Sequence, residues 1–190
     1  MSVVVLLTGP PGIGKTTIVR RVLDLAPRTF AGFYTEEIRE EGHRTGFEVV
    51  TTDGKRALLA TKCGDLSGEP NVGSYVVNTA AIDLIAVPAM MAAARSGRIV
   101  VVDEIGPMEL LAQSFRSAIH RILSDGRISM VGTVVERPYN FADSVKKHSR
   151  SQIIHVTHEN RYGLAEFLIQ LITSDSASCG SKRAADHHFR

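Results

Sequence analysis

The sequence predicts a doubly wound α/β fold with a mainly parallel sheet. Three observations indicate this class. Short apolar runs that are typical of buried parallel strands recur along the 190 residues. Segments whose apolar residues have helical spacing alternate with these runs, and Gly, Pro and Asp residues separate them. In such a fold helices cover the faces of the sheet, and ligands bind at the carboxyl ends of the strands.

The first unit is a strand, a glycine-rich loop and a helix. The strand is the apolar run 3–7, and Ile18, Val22 and Leu25 give the helix an apolar stripe. Residues 9–17 between them match G-x-x-x-x-G-K-[ST], the pattern of a phosphate-binding loop. They are Gly9, Pro10, Pro11, Gly12, Ile13, Gly14, Lys15, Thr16 and Thr17. This motif narrows the prediction to a P-loop NTPase-like α/β fold.

The residue types of this loop suit a triphosphate and a metal ion. Glycines let backbone N–H groups approach the phosphates, and the helix that follows offers unpaired N–H groups and the positive end of its dipole. Lys15 would reach the β- and γ-phosphates, and the Thr16 hydroxyl would ligate Mg²⁺. We therefore predict that the chain binds a nucleoside triphosphate together with Mg²⁺.

Residues 30–61 predict an antiparallel β meander. One strand starts at Gly32, a second covers 46–52, and a third covers 57–60. Asp53-Gly54 is a strong signal for the hairpin turn between the last two. A βαβ core does not need these strands, so we expect an insertion near the nucleotide.

The rest of the chain continues the alternation of strands and helices. Further strands are predicted over 73–77, 98–102, 128–135 and 153–156. Helices are predicted over 80–94, after 107, over 142–150 and from 160 onward. Pro88 predicts a kink or a break in the first of these helices. We expect one domain over 1–173 and a disordered tail over 174–190, where the residues are mostly small or polar and show no periodicity.

The strand predicted over 98–102 ends in two carboxylates, Asp103 and Glu104. In phosphate-loop proteins an Asp at such a strand end holds Mg²⁺, and the metal neutralises charge on the transferring phosphoryl group. A carboxylate directly after it can orient or deprotonate the attacking water. We therefore assign Asp103 to the metal and Glu104 to general-base catalysis.

Gly106 and Thr133 stand at two further positions where nucleotide contact is expected. Residues 103–106 match D-x-x-G, a pattern of GTP switches, but no N-K-x-D motif for guanine follows. Loose base selection is therefore expected. Thr133 ends the next core strand, and either contacts the γ-phosphate or water, or serves as a structural strand threonine.

Hydrolysis also benefits from a positive charge beside the transferring phosphoryl group. The sequence does not choose among the candidate arginines, which are Arg39, Arg44, Arg56, Arg137 and Arg161. The basic cluster formed by Lys146, Lys147, His148 and Arg150 is interpreted as a solvated helix face, with a phosphate-covering lid as the alternative.

Composition and charge argue against several other classes of protein. The 22 Lys and Arg residues against 20 Asp and Glu give a net charge of +2, and no stacking motif is visible, so nucleic-acid binding is not expected. Cys63 and Cys179 are far apart and lack metal-ligand spacing, which argues against a disulfide framework or zinc site. No apolar stretch reaches about 18 residues, and no signal peptide is visible. We expect a cytoplasmic monomer without membrane partners.

These motifs together carry a resemblance to a known family. They are the phosphate loop, Gly32-Phe33-Tyr34-Thr35-Glu36-Glu37, Gly46-Phe47, Asp103-Glu104-Ile105-Gly106 with Met108-Glu109-Leu110, Gly132-Thr133, and Val156-Thr157 with Glu159-Asn160-Arg161. From about Val5 to Ile172 the chain resembles the THEP1-type nucleoside-triphosphatases, which include the human cancer-related nucleoside-triphosphatase.

The resemblance implies slow, Mg²⁺-dependent hydrolysis of ATP, GTP and other nucleoside triphosphates to diphosphate and phosphate. It also implies that Arg161 and the loop at 159–160 lie near the nucleotide. Several family members carry a lysine where this chain has Pro107. Another basic residue would have to supply any phosphate contact made by that lysine.

Three functions are compatible with these observations. In a nucleoside-triphosphatase, Glu104 would position water for in-line attack. In a small nucleotide or metabolite kinase, Glu104 would serve an acceptor hydroxyl, and the 30–61 meander would bind that acceptor. The third function is a nucleotide-dependent switch, which the D-x-x-G pattern supports. Hydrolysis without a second substrate separates the first function from the second, and dependence of a partner on the nucleotide state identifies the third.

Overall fold

Strands and helices alternate along the chain, as the sequence predicts. A computed structural model describes residues 2–62 and 68–177, with side chains through residue 174. The strands are β1 Val4–Thr8, β2 Phe30–Glu40, β3 His43–Thr51, β4 Arg56–Thr61, β5 Asn71–Val72, β6 Tyr75–Val77, β7 Ile99–Ile105, β8 Met130–Val134 and β9 Ser151–His155. The helices are α1 Lys15–Leu25, α2 Thr79–Ala81, α3 Val87–Arg95, α4 Gln113–Ser124, α5 Asn140–Lys146 and α6 Leu164–Ala177.

The strands form one mixed sheet that is mainly parallel. Across the described ranges the sheet has nine strands in the order β5-β6-β4-β3-β2-β7-β8-β1-β9. The strands from β2 to β9 in this order run parallel to one another. Leu7 of β1 pairs with Thr133 of β8, and Thr8 pairs with His155 of β9. The carboxyl ends of these strands therefore meet at one edge of the sheet, and the predicted α/β class is confirmed.

The predicted antiparallel strands over 30–61 are present as β2, β3 and β4, and they extend the parallel sheet. Residues 30–33 of β2 pair in parallel with β7, whereas residues 33–40 pair antiparallel with β3. With 11 residues, β2 is long enough to join both arrangements. Its first part thus belongs to the parallel core. The antiparallel part also continues beyond the predicted range, into β6 and β5.

Alternate residues of the central strands pack against opposite faces of the sheet. Val4 and Leu6 of β1 belong to the core cluster that contains the apolar residues of α3 and α4. Val5 and Leu7 belong to the cluster that contains those of α1 and α6. Because both faces are covered, both sets of side chains must be apolar. This explains why the strand appears in the sequence as a continuous apolar run.

The helices that follow β6 and β9 differ from the prediction. A π-helical turn, Ile82–Ala86, joins α2 to α3, and Pro88 lies in the first turn of α3 directly after it. Pro88 cannot donate a helical hydrogen bond, and the π-helical turn interrupts the regular α-helical pattern just before this residue. Helix α6 begins at Leu164 rather than at 160, because the Asn160 side chain holds a turn by bonding the Thr157 N–H and the His155 carbonyl.

The end of α6 also corrects the predicted tail. The helix continues through Ala177, because Leu168 and Ile172 anchor its last turns in the core. Residues 174–177 are thus helical, and the remainder of the predicted tail, 178–190, lies outside the described residues. None of the helices within 2–62 and 68–177 is long and apolar enough to cross a membrane.

Arg150 has a structural role that the sequence did not reveal. Because α5 ends at Lys146, Arg150 does not continue the predicted solvated helix face. Its guanidinium turns inward and donates to the main-chain carbonyls at the end of α4 and before β8. These are the carbonyls of Ile122, Leu123, Asp125 and Ile128.

Candidate active site

The phosphate loop lies between the carboxyl end of β1 and the start of α1. Gly9, Gly12 and Gly14 have φ values of 143°, 80° and 111°, which L side chains rarely adopt. A side chain at Gly9 would also be tightly packed, because a Cβ atom there would lie 3.0 Å from the Val156 carbonyl oxygen. Gly14 directly precedes α1, whose first N–H groups have no intrahelical partner. The loop therefore presents donors and a positive helix end to an anion.

Lys15 places its ammonium group over this loop. Lys15 Nζ donates to the Gly9 carbonyl at 2.7 Å and to the Pro10 carbonyl at 3.4 Å. The side chain also lines a cavity of about 570 Å³ together with Glu104 and Gly106. We call this cavity the catalytic cavity. A cation of the phosphate loop and a carboxylate of β7 thus lie in the same cavity.

Asp103 is a buried carboxylate near the carboxyl end of β7, only 1% exposed. The Thr133 hydroxyl from β8 donates to Asp103 Oδ1 at 2.6 Å. Burial raises the pKa of Asp103, and the hydroxyls of Thr133 and Thr16 oppose that rise. In the part of the chain that the structure describes, Asp103 Oδ2 has no hydrogen-bond partner. Asp103 and Thr16 therefore offer oxygen atoms to a cation.

Thr16 and Asp103 fit a magnesium ion. A buried carboxylate oxygen without a partner is costly unless a proton or a cation satisfies it. Mg²⁺ prefers oxygen ligands and usually combines one or two protein ligands with substrate phosphates and water. Within 2–62 and 68–177, no group of three or more His, Cys, Asp or Glu side chains could hold a metal by itself. The residues present thus suit a metal that is bound jointly with a phosphate.

Glu104 follows Asp103 through a cis peptide bond and is partly exposed in the catalytic cavity. Burial and the negative charge of Asp103 raise the pKa of Glu104, while the positive charges of Lys15 and Arg137 oppose the rise. A raised pKa makes a carboxylate a stronger base, and nearby cations keep part of it ionised. Glu104 thus has the environment of a general base.

Glu109 is a second acid in the wall of the same cavity. It begins the 3₁₀ turn Glu109–Leu111 and is 5% exposed. A Cβ atom at Gly106 would lie 3.1 Å from Glu109 Oε2 and 3.2 Å from Glu104 Cγ, so both acidic side chains pass beside Gly106. Burial and the negative charge of Glu104 raise the pKa of Glu109 to about 8. Glu109 is therefore mainly a neutral acid at pH 7.

Arg137 is the candidate arginine with the most direct access to the catalytic cavity. It lines the cavity, and its charge acts on Glu104. Arg39 and Arg44 are both paired with Glu37, although Arg44 also lines the cavity. Arg56 is paired with Glu36 and Glu48.

The phosphate loop is flanked on its other side by a second cavity of about 580 Å³. Arg161 lies there, so the structure does not bring it together with Glu104. Its guanidinium donates to the Tyr162 hydroxyl at 2.7 Å and lies 4.8 Å from the centre of that ring. The loop residues that line this cavity are Gly12, Ile13, Gly14 and Thr17.

The catalytic cavity brings most of the other predicted site residues together. Its lining includes Gly9, Pro11, Lys15, Glu104 and Gly106. Thr16 and Thr133 both interact with Asp103, the residue directly before Glu104. Pro10 contributes its carbonyl, and the Ile13 side chain is mostly buried in the core.

Sequence reasoning gave no role to Glu109 and did not single out Arg137. Glu109 stands in the stretch that carries the family resemblance, but its sequence context gives no sign that it is buried. Arg137 was one of five equivalent candidates. Its position depends on the loop after β8, which the motif does not specify. Thr133 has a contact that was not foreseen, since its hydroxyl orients Asp103.

Comparison with known proteins identifies the family. A family model described as NTPase matches residues 4–169, most of the chain. The chain belongs to this NTPase family. It is 36% identical over 187 residues to the mouse protein named cancer-related nucleoside-triphosphatase homolog, covering 92% of this chain and 98% of that protein. It is 35% identical over 168 residues to nucleoside-triphosphatase THEP1 of Thermotoga petrophila, covering 88% of this chain and 92% of that protein.

A solved structure within the NTPase family has the same fold. The crystal structure of THEP1 from the hyperthermophile Aquifex aeolicus matches with a TM-score of 0.81 at 31% identity, covering 90% of this chain and 99% of that chain. The resemblance to THEP1-type nucleoside-triphosphatases, which rested on short motifs, is thus confirmed over most of the chain.

Proposed function

We propose that this chain is a Mg²⁺-dependent nucleoside-triphosphatase with a P-loop NTPase fold. It hydrolyses ATP, GTP and other nucleoside triphosphates to diphosphate and phosphate. The proposal rests on the catalytic cavity, which joins Lys15 of the phosphate loop to Glu104 of β7. The names of the relatives, which are nucleoside-triphosphatases, support it.

The polar groups of the site have distinct roles in this reaction. Lys15 and the loop N–H groups bind the β- and γ-phosphates, while Thr16 and Asp103 would hold Mg²⁺. When bound, Mg²⁺ neutralises charge on the phosphates. Glu104 takes a proton from a water whose oxygen attacks the γ-phosphorus, and the bond from that phosphorus to the β-γ bridging oxygen breaks. Arg137 balances negative charge on the transferring group.

The second cavity is the proposed place of the nucleoside. The Tyr162 side chain is 76% exposed and has the Arg161 guanidinium against its ring. A flat surface of this kind stacks with any base, because every base has a π face. The absence of a guanine motif in the sequence is in line with this arrangement. We therefore propose loose base selection.

The test is phosphate release from each nucleoside triphosphate with Mg²⁺, by the wild-type chain and by three variants. Glu104→Gln should retain nucleotide binding but lower kcat by about 100-fold or more, because the general base is removed. Lys15→Ala should lose turnover and bind triphosphate more weakly. Glu40→Gln, at the exposed end of β2, is the matched control and should behave as wild type. Undiminished release by Glu104→Gln would refute the role of Glu104.

A further inference from the structure

The catalytic cavity is far larger than hydrolysis requires. Its volume is about 570 Å³, whereas a water molecule occupies about 30 Å³. A γ-phosphoryl group beside Lys15 would fill only the part of the cavity next to the phosphate loop. The remaining space lies between Glu104 and the antiparallel part of the sheet. Known binding pockets for small molecules have volumes of about 300–1,000 Å³, so the cavity is in their size range.

The antiparallel strands contribute two aromatic rings to the wall of the catalytic cavity. Phe47 of β3 and Tyr75 of β6 both line the cavity, with ring centres 5.3 Å apart. Arg44 fixes both rings, because its Nε donates to the Tyr75 hydroxyl at 3.0 Å and its guanidinium lies 5.1 Å from the Phe47 ring centre. Lys62 Nζ lies 5.1 Å from the Tyr75 ring centre. This preorganised wall suits a planar, heteroaromatic ligand.

The wall nearest the reacting phosphate contains the two acids that pass beside Gly106. Glu104 lines the cavity together with Lys15, and its carboxylate oxygens can accept a hydrogen bond. Glu109 lies beside it at Gly106 and, being mainly neutral, can donate one. An acceptor and a donor side by side match a hydroxyl group, which both donates and accepts. The cavity thus offers an aromatic wall at one end and hydroxyl partners at the other.

The nucleoside of the triphosphate does not need this space. The second cavity, with Arg161 and Tyr162, lies on the opposite side of the phosphate loop and is of similar volume, about 580 Å³. The triphosphate and a second molecule can therefore be bound at the same time, with the γ-phosphate between them.

We propose that the catalytic cavity is an acceptor site for a nucleoside-sized heteroaromatic alcohol, and that the protein transfers the γ-phosphoryl group to it. This inference rests on the triphosphate site proposed above. The acceptor oxygen forms a new bond to the γ-phosphorus while the bond to the β-γ bridging oxygen breaks. Glu104 takes the hydroxyl proton, and the nucleoside diphosphate leaves. The products are a phosphomonoester and a diphosphate, and water competes when no acceptor is bound.

The experiment has two parts. The full chain is saturated with Mg²⁺ and the β,γ-imido analogue of ATP, and titrated calorimetrically with adenosine, guanosine, cytidine, uridine and thymidine in turn. Transfer is then followed with γ-³²P-labelled ATP, Mg²⁺ and each nucleoside, as labelled nucleoside monophosphate. At least one nucleoside should bind with one-to-one stoichiometry to the loaded chain and receive the label.

Two variants locate the site. Phe47→Leu should weaken nucleoside binding to the loaded chain by roughly tenfold and reduce transfer, while phosphate release from ATP alone stays unchanged. Tyr162→Leu, in the second cavity, should leave nucleoside affinity of the saturated chain unchanged. A melting curve for each variant establishes that it is folded.

Three results would overturn the proposal. One is normal analogue binding and ATP hydrolysis with neither binding nor labelling of any of the five nucleosides, which would leave the triphosphatase intact. Another is nucleoside binding that Phe47→Leu does not alter, which would show that the nucleoside binds outside the catalytic cavity. Failure of the analogue itself to bind would refute the triphosphate site, and the acceptor site with it.

Discussion

At the scale of the residue, the site contains three carboxyl groups. Burial raises the pKa of all three, but their hydrogen-bond and charge partners differ. Burial is the largest cause that raises the pKa of Asp103, Glu104 and Glu109. Hydroxyls oppose the rise at Asp103, and the cations Lys15 and Arg137 oppose it at Glu104. Glu109 has the charge of Glu104 beside it, which adds to the rise. Because their environments differ, Asp103 is suited to metal binding, Glu104 to base catalysis and Glu109 to hydrogen-bond donation.

Glu109 should make stability depend on pH. Its pKa is about 8 in the folded protein against an ordinary value of 4.5, so the folded state holds the proton more tightly. The stabilisation that this proton gives to the folded state is complete below about pH 4.5 and is lost as the pH rises through about 8. Because glutamine does not ionise, the Glu109→Gln variant does not lose stability in this way. The Tm of the variant minus that of wild type, measured without Mg²⁺, should therefore increase between pH 5 and pH 8 and then level off.

Glu40→Gln is the control for that measurement, since it exchanges the same groups at an exposed site. Its Tm difference from wild type should not change with pH over this range. A difference for Glu109→Gln that is equally constant would show that Glu109 ionises normally in the folded protein.

Arg137 should act on the chemical step. Because it lines the catalytic cavity and its charge reaches Glu104, Arg137→Ala should lower kcat for triphosphate hydrolysis by roughly tenfold or more. Arg39→Ala is the matched control, since Arg39 is paired with Glu37 and the Gly42 carbonyl, and its kcat should stay close to wild type. Steady-state kinetics with saturating Mg²⁺-ATP measure both. Equal kcat values for the two variants would remove Arg137 from the mechanism.

At the scale of the element, strand β2 connects the parallel core to the antiparallel strands that border the catalytic cavity. Its neighbours are β7, which carries Asp103 and Glu104, and β3, which carries Phe47. The close approach of β2 and β7 depends on Gly32. This residue has a φ of 147°, and a Cβ atom there would lie 2.1 Å from the Val101 carbonyl oxygen.

Gly32→Ala should therefore separate β2 from β7 and destabilise the protein. We expect a loss of about 3 kcal/mol or more in the free energy of unfolding, because both the backbone conformation and the space are unsuited to a side chain. Gly126→Ala is the control, since nothing lies within 4 Å of a Cβ atom there. Urea unfolding measures both. Similar midpoints for the two variants would show that the strands can adjust at no cost.

At the scale of the whole molecule, Arg150 links parts of the fold that are distant in sequence. One guanidinium bonds the end of α4, the segment before β8 and the Ser2 side chain that precedes β1. Its partners lie up to 148 residues away along the chain. Several partly buried carbonyls would lose the Arg150 donor together if this side chain were removed.

Arg150→Met should thus lower the free energy of unfolding by about 3 kcal/mol. It preserves much of the aliphatic stem and removes only the guanidinium. Lys147→Met, at an exposed position of the same segment, should change it by less than about 0.5 kcal/mol. Thermal or urea unfolding compares them, and an equal effect of both substitutions would contradict the structural role of Arg150.

The sequence by itself determined the α/β class, the phosphate loop and the family. These follow from local patterns, since strand and helix periodicity and the spacing of Gly9, Gly14 and Lys15 are properties of neighbouring residues. The position of Asp103 and Glu104 at the end of an apolar run was equally local. The boundaries of the antiparallel strands and of α6 were less accurate, because they depend on pairing and packing with distant segments.

Only the tertiary structure decided which distant residues share a cavity. It separated Arg161 from Glu104, placed Arg137 and Glu109 in the same cavity as Glu104, and directed the Arg150 side chain towards the protein interior. It also joined the aromatic wall of Phe47 and Tyr75 to the same cavity. Burial and charge–charge distances arise from the packing of segments that lie far apart along the chain. The pKa shifts and the shape of the site therefore could not be predicted from the spacing of residues in the sequence.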